Sequence, residues 1–185
     1  NPFEVRSGQI GKELDQTLVN VKRDGIRIHG RQMGSQRAGS IRCASLNPTV
    51  FLEFPKSATL ADNERIPVRY ELTINLDLSP EARYVTLVHE LAHLYCGHLG
   101  TPNKNGWPDR RGLPHGAREF EAESVAYLVC SRLGIDNPSA EYLGGYANTR
   151  EQVPPISLEC VIKSASLIEN MGRQLLKPRK ARISP

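Results

Sequence analysis

The chain lacks any apolar run long enough to cross a bilayer, and its first residues lack the pattern of a signal peptide. A protein that acts in the cytoplasm is expected on those grounds. It also lacks a C-x-x-C pair: the four cysteines Cys43, Cys96, Cys130 and Cys160 are widely scattered. That argues against a cysteine zinc knuckle and fits a reducing compartment. Cys130 and Cys160 fall in apolar helical patterns and are expected to be buried thiols. There is no internal repeat. There is no initial Met either; beginning at Asn1 is what a fragment or a processed chain would do. The charge is not strongly one-sided: a net +4 permits contact with nucleic acid without demanding it. What is left is ordinary for a globular protein, 39% hydrophobic and 24% charged over 185 residues. That is one domain with appendages and enough chain to bury a core.

Against this plain background stands Val88-His89-Glu90-Leu91-Ala92-His93-Leu94, which reads H-E-x-x-H. On a helix, His89 and His93 leave the same face about one turn, or ~6 Å, apart. That spacing suits two corners of a tetrahedral zinc site. Glu90, beside them, is placed to take the proton of an attacking water. The context supports a helix. Ser79 is a good N-cap, Pro80 fits the first turn and Glu81 suits the positive end of the dipole. Tyr84, Val85, Leu87, Val88, Leu91, Ala92 and Leu94 make the helix apolar enough to be buried, and Gly97 and Gly100 can end it.

Taken in order, the chain predicts a short helix over Ile10–Val21. A basic, glycine-rich stretch follows, Lys22 to Arg42, expected to be a solvated loop with a short strand at Gly25–Gly30. Thr49–Phe54 reads as a strand, residues 57–66 as a loop, and Val68–Leu76 as an alternating strand. Residues 101–117, with Trp107 and His115, read as a long site-shaping loop. A second strong helix is expected from Arg118 to Leu133, stopped by Gly134, then a short one at Ser139–Tyr146. A last amphipathic helix is expected over Ser157–Leu176, before a frayed basic tail. The divisions expected are an N-terminal segment 1–60 with the basic arm, a metallopeptidase domain 61–176, and a tail 177–185.

A zinc site needs a third protein ligand. His98 is one position out of the metzincin register, and His115 is expected in a loop. The glutamate-rich helix is the better source. Glu119 and Glu123 lie on one face with Ala122, Ala126, Val129 and Leu133, the packed side, while Glu121 lies roughly 200° round from Glu119. Glu119 is therefore the expected ligand. Glu123, one turn on, is expected to orient a histidine from behind, and Glu121 to be a solvated charge.

His89-Glu90-Leu91-Ala92-His93 paired with Glu119-Phe120-Glu121-Ala122-Glu123-Ser124-Val125-Ala126-Tyr127 resembles the ImmA/IrrE metallopeptidases and the related ArdC-type antirestriction proteins. The likeness covers residues 68–146, and Ser139-Ala140-Glu141-Tyr142-Leu143 is similar to the ArdC-like branch. It implies an α+β, zincin-like fold with a small β-sheet, an H-E-x-x-H helix and a glutamate-ligand helix, gluzincin-like in its ligands. It also implies a Zn2+-dependent endopeptidase that cuts a helix-turn-helix repressor in a bacterial stress or phage-defence circuit. Single-stranded DNA is implied as an activator.

Two hypotheses follow. In the first, Glu90 is the general base of a regulatory peptidase, with Tyr142, Tyr146 or His115 as oxyanion donors. In the second, the same fold is a non-proteolytic, single-strand DNA-binding antirestriction protein with a structural metal. Lys22, Arg23, Arg27, Arg31, Arg37 and Arg42, with Trp107 and tyrosines, would then meet phosphates and bases. Cys43 raises a further expectation. On a flexible arm, its thiolate could occupy the open zinc position as an inhibitory ligand until DNA draws the arm away. The plain alternative is an idle thiol beside a strand.

Overall fold

The computed structural model describes residues 5–35, 37–44, 50–57, 62–102, 106–148 and 154–179, apart from the side chains of residues 146–148. Helix α2, Pro80–Tyr95, runs through the middle of it. The Ser79 hydroxyl oxygen accepts the Ala82 N–H at 3.2 Å and Pro80 fills the first turn, an N-cap that contributes about 1 kcal/mol. Tyr84, Leu87, Val88, Leu91 and Leu94 are fully buried, so the helix is apolar over most of its circumference and must be covered on several sides. Helix α3, His115–Arg132, helix α5, Leu158–Arg173, and the sheet supply that cover. The helix ends at Gly97. Its φ is +86°, and a Cβ there would stand 2.1 Å from the Pro108 carbonyl oxygen. Only glycine fits both conditions.

Strands β1 (Ile26–Arg31), β2 (Gly39–Cys43) and β5 (Tyr70–Asn75) form a mixed sheet in the order β1-β5-β2. β1 runs parallel to β5 and β2 antiparallel to it. The expected alternation of β5 is present: Tyr70, Leu72 and Ile74 are buried against α2, while Glu71 and Thr73 point to the other face. Strands β3 (Phe51–Pro55) and β4 (Asn63–Pro67) form a separate antiparallel pair. The loop expected over 57–66 is thus corrected, since its second half is strand β4.

The basic stretch is corrected as well. It is a 3-10 turn (Val21–Asp24) followed by β1 and β2, not a solvated loop. Asn75, fully buried, organises the connection between the two strands. Its Nδ2 donates to the Gly34 and Arg37 carbonyls at 2.6 and 2.8 Å, and its Oδ1 accepts the Met33 N–H at 3.1 Å. Asp77 accepts the N–H groups of Met33 and Gly34. Glycine and arginine do oppose a buried helix, but strands at a sheet edge tolerate both, and the groups that hold them lie some forty residues downstream.

Helix α1, Glu13–Asn20, packs on α5. Asn20 ties them together: its Nδ2 donates to Met171 O at 2.7 Å and its Oδ1 accepts the Leu176 N–H at 2.8 Å. The tail does not fray where it is described, because Arg179 pairs with the buried Asp24. Residues 180–185 lie outside the described residues. A boundary after residue 60 would cut both sheets, since β1 and β2 pair with β5 and β3 pairs with β4. Helix α4 spans Ser139–Asn148. Among the described residues, no helix is long and apolar enough to cross a membrane.

Candidate metal centre

His89 and His93 sit one turn apart on α2, and the core around them fixes which way they point. Their Nε2 atoms lie 3.2 Å from each other. Glu119, in the second turn of α3, brings one carboxylate oxygen to 3.6 Å from His89 Nε2 and the other to 3.5 Å from His93 Nε2. A tetrahedral ion with bonds of 2.0–2.1 Å has ligand–ligand edges of about 3.4 Å. These three donors, each within 4.8 Å of the others, therefore fit a divalent ion such as zinc, with a fourth position left open.

The electrostatics agree. Burial disfavours charge on His89, but the Glu119 carboxylate beside Nε2 and the Glu123 carboxylate bonded to Nδ1 outweigh it and push the imidazolium up to about 10. Burial also raises Glu119, yet the His89 and His93 rings beside it hold its carboxyl well below the usual range. For His93, burial dominates and lowers its value. The ionised Glu119 carboxylate is the charge that a cation among the three groups would meet.

Glu123 lies against His89. The His89 Nδ1–H donates to its carboxylate at 2.9 Å, while Nε2 faces His93 and Glu119. Glu121 is a correction. It is not a solvated charge but completely buried. Arg110 donates to both its oxygens at 2.6 Å, the Ser157 N–H donates at 2.7 Å, and His98 Nε2 lies 2.9 Å away. The segment before α3 and the start of α5 cover this side of the helix, so both faces of α3 are packed. Helical periodicity could not reveal that.

Glu90 lies beside the histidines on α2. Burial pushes its carboxyl up, and nearby His89 opposes the rise. The Ile41 backbone N–H faces this carboxyl and favours its ionised form. That N–H is free because of the β2–β5 register. Ala44 N–H donates to Arg69 O and Asn75 N–H to Ala38 O, so Gly39, Ile41 and Cys43 turn their peptide groups away from β5. β5 itself is flanked on both sides, and the strand that borders the site is β2.

Cys43 is exposed, on β2, with its thiol 3.6 Å from the Leu99 carbonyl oxygen. It is not among the three converging donors. Nor is it on a flexible arm, because its strand is bonded into the sheet. His115 opens α3 rather than lying in a loop, and its Nδ1 is 3.4 Å from Glu119. Tyr142 is on α4, and the side chain of Tyr146 lies outside the described residues. Of the basic residues, Arg23 is buried and Arg27 is paired with Glu71 at 2.5 Å. Lys22 is half-buried, and Arg31, Arg37 and Arg42 are exposed. Trp107 is buried against Tyr95, with its Nε1–H donated to Gly100 O at 2.8 Å, so it offers no face for stacking bases. Sequence reasoning missed the roles of Ile41 and Arg110; neither carries a local signal.

Residues 43–130, just under half of the chain, match the peptidase family M78, described as the IrrE N-terminal-like domain. No curated protein and no solved structure gives a match. The match starts within β2 and ends near the end of α3, so it contains His89, Glu90, His93 and Glu119 together. The segment that builds this site is therefore similar to the IrrE N-terminal-like domain, which supports an ImmA/IrrE-type metallopeptidase acting on a protein substrate.

Proposed function

We propose that the protein is a zinc-dependent, site-specific endopeptidase in which His89, His93 and Glu119 hold the ion and Glu90 is the general base. The convergence of two Nε2 atoms and a carboxylate at 3.2–3.6 Å carries this reading. When bound, zinc supplies Lewis acidity toward a carbonyl and a water. Glu90 takes the proton of the attacking water and passes it to the leaving amine. A carboxyl raised by burial suits both roles. Glu123 holds the His89 ring. Apart from the Ile41 N–H, which faces Glu90, the outward N–H and C=O groups of β2 are a row against which an extended substrate backbone can pair.

The resemblance to ImmA/IrrE proteins points to a helix-turn-helix repressor as the substrate and to single-stranded DNA as an activator, in a bacterial stress or phage-defence setting. The outer face of the mixed sheet favours a role for DNA. There Arg31 and Arg42 are exposed beside His29, and Arg37 is exposed in the connection between β1 and β2. A non-proteolytic, antirestriction-type DNA-binding protein is the competing reading. The test is to incubate the zinc-loaded protein, and Glu90→Gln beside it, with the repressor encoded next to its gene, with and without a single-stranded oligonucleotide. Cleavage by the wild type alone, raised by the oligonucleotide, is expected. An intact repressor together with oligonucleotide binding would favour the competing reading.

A further inference from the structure

Cys96, His98 and Glu121 form a second group of close, buried metal-ligand side chains. Its geometry opposes an ion. Glu121 already accepts from Arg110, from the Ser157 N–H and from His98. Both His98 nitrogens are engaged: Nε2 lies 2.9 Å from Glu121 and Nδ1 3.0 Å from His93 Nδ1. The Cys96 thiol is 3.3 Å from the Ser164 hydroxyl. A cation here would displace a guanidinium that is held at two points.

The proton count gives the group another role. An ionised Glu121 can only accept, so His98 carries its proton on Nε2. In that tautomer His98 has its lone pair on Nδ1, facing His93 Nδ1 at 3.0 Å. Two lone pairs would repel at that distance, so His93 carries its proton on Nδ1. That leaves the lone pair of His93 on Nε2, the atom that faces His89 Nε2 and Glu119. We propose that His98, anchored by Glu121, is a positioning residue that accepts the His93 Nδ1–H and so fixes the tautomer and ring orientation of a metal ligand. The two histidines of α2 are then backed by carboxylates of the same helix. Glu123 serves His89 directly, and Glu121 serves His93 through an intervening imidazole. The three glutamates of α3 thus divide the work: Glu119 faces the ion, and the other two hold its histidines. Arg110 and the Ser157 N–H link this arrangement to the segment before α3 and to the start of α5.

This inference rests on the metal site proposed above, and the experiment separates the two. Zinc affinity is measured by competition with a chromophoric chelator for the wild type, His98→Leu, His98→Gln and Glu121→Gln. His98→Leu is expected to weaken zinc about 10–100-fold. His98→Gln, whose side-chain oxygen can accept the His93 proton, should recover part of that loss, and Glu121→Gln should weaken zinc as well. Long-range proton–nitrogen NMR of the zinc-loaded wild type reads the tautomers without any substitution. Protonated Nδ1 on His93 and protonated Nε2 on His98 are expected. Zinc bound as tightly by His98→Leu as by the wild type, or His93 bound to zinc through Nδ1, would overturn the role of His98 and leave the metal site standing. A wild type that binds no zinc would overturn both.

Discussion

The Ile41 backbone N–H faces the Glu90 carboxyl and favours its ionised form, so the edge strand β2 borders the proposed general base. Glutamine at position 90 keeps an oxygen that can face this N–H. Glu90→Gln is therefore expected to retain its metal and its fold and to lose on the order of 10²–10⁴ in cleavage rate. Metal content and circular dichroism, compared with cleavage of the repressor, check this. Wild-type cleavage by Glu90→Gln would remove Glu90 from the mechanism.

Gly39 controls how closely β2 approaches α2. A Cβ there would stand 2.6 Å from Thr86 Cγ2 and 2.8 Å from the Thr73 carbonyl oxygen. Gly39→Ala must push the strand off the helix, at a cost of about 1–3 kcal/mol. Urea unfolding should show the loss, and cleavage should fall with it because Ile41 moves away from Glu90. An unchanged midpoint would mean that the strand is not held where it is described.

The two site helices were legible because their signals are local. Ser79 caps α2, apolar residues fill its length, and the two histidines fall at helical spacing. The β5 alternation was legible for the same reason. β2 and β4 were not, because short edge strands rich in glycine and charge earn their place from partners far along the chain, as Asn75 does for the β1–β2 connection. Helix periodicity points to Glu119 and Glu123. It does not reveal the burial of Glu121, because periodicity assumes one covered face, whereas Arg110 and Ser157 cover the other.

Glu71 makes stability depend on acid. Its carboxyl is lowered to about 2, first by the hydrogen bond from Arg27 and further by His29, with burial opposing. The folded value lies below that of the unfolded chain, so the contribution is complete above about pH 4.5 and fades as pH falls toward 2. Glu71→Gln should be less stable than wild type at pH 6, and the gap should narrow by pH 3. Urea midpoints at both values decide it; a gap that widens in acid contradicts the pairing.

Binding to a single-stranded oligonucleotide should fall steeply with salt, and joint replacement of Arg31, Arg37 and Arg42 by alanine should flatten the slope by about 0.7 per lost phosphate contact. Arg27→Ala should change it little, because Arg27 is committed to Glu71. Cys43→Ser should leave zinc content and cleavage without DNA unchanged, since Cys43 stands outside the converging donors. Absence of binding at low salt would remove the nucleic-acid role. Higher DNA-free cleavage by Cys43→Ser would restore the cysteine switch.

The most direct test of the account is the zinc content of the wild type, Glu119→Ala, Glu121→Ala and Glu123→Ala after loading with excess zinc and desalting. The account predicts equimolar zinc in the wild type and almost none in Glu119→Ala. In Glu121→Ala and Glu123→Ala, zinc should still bind, but about 10–100-fold more weakly. Full occupancy in Glu119→Ala, with zinc lost from Glu121→Ala or Glu123→Ala instead, would contradict it.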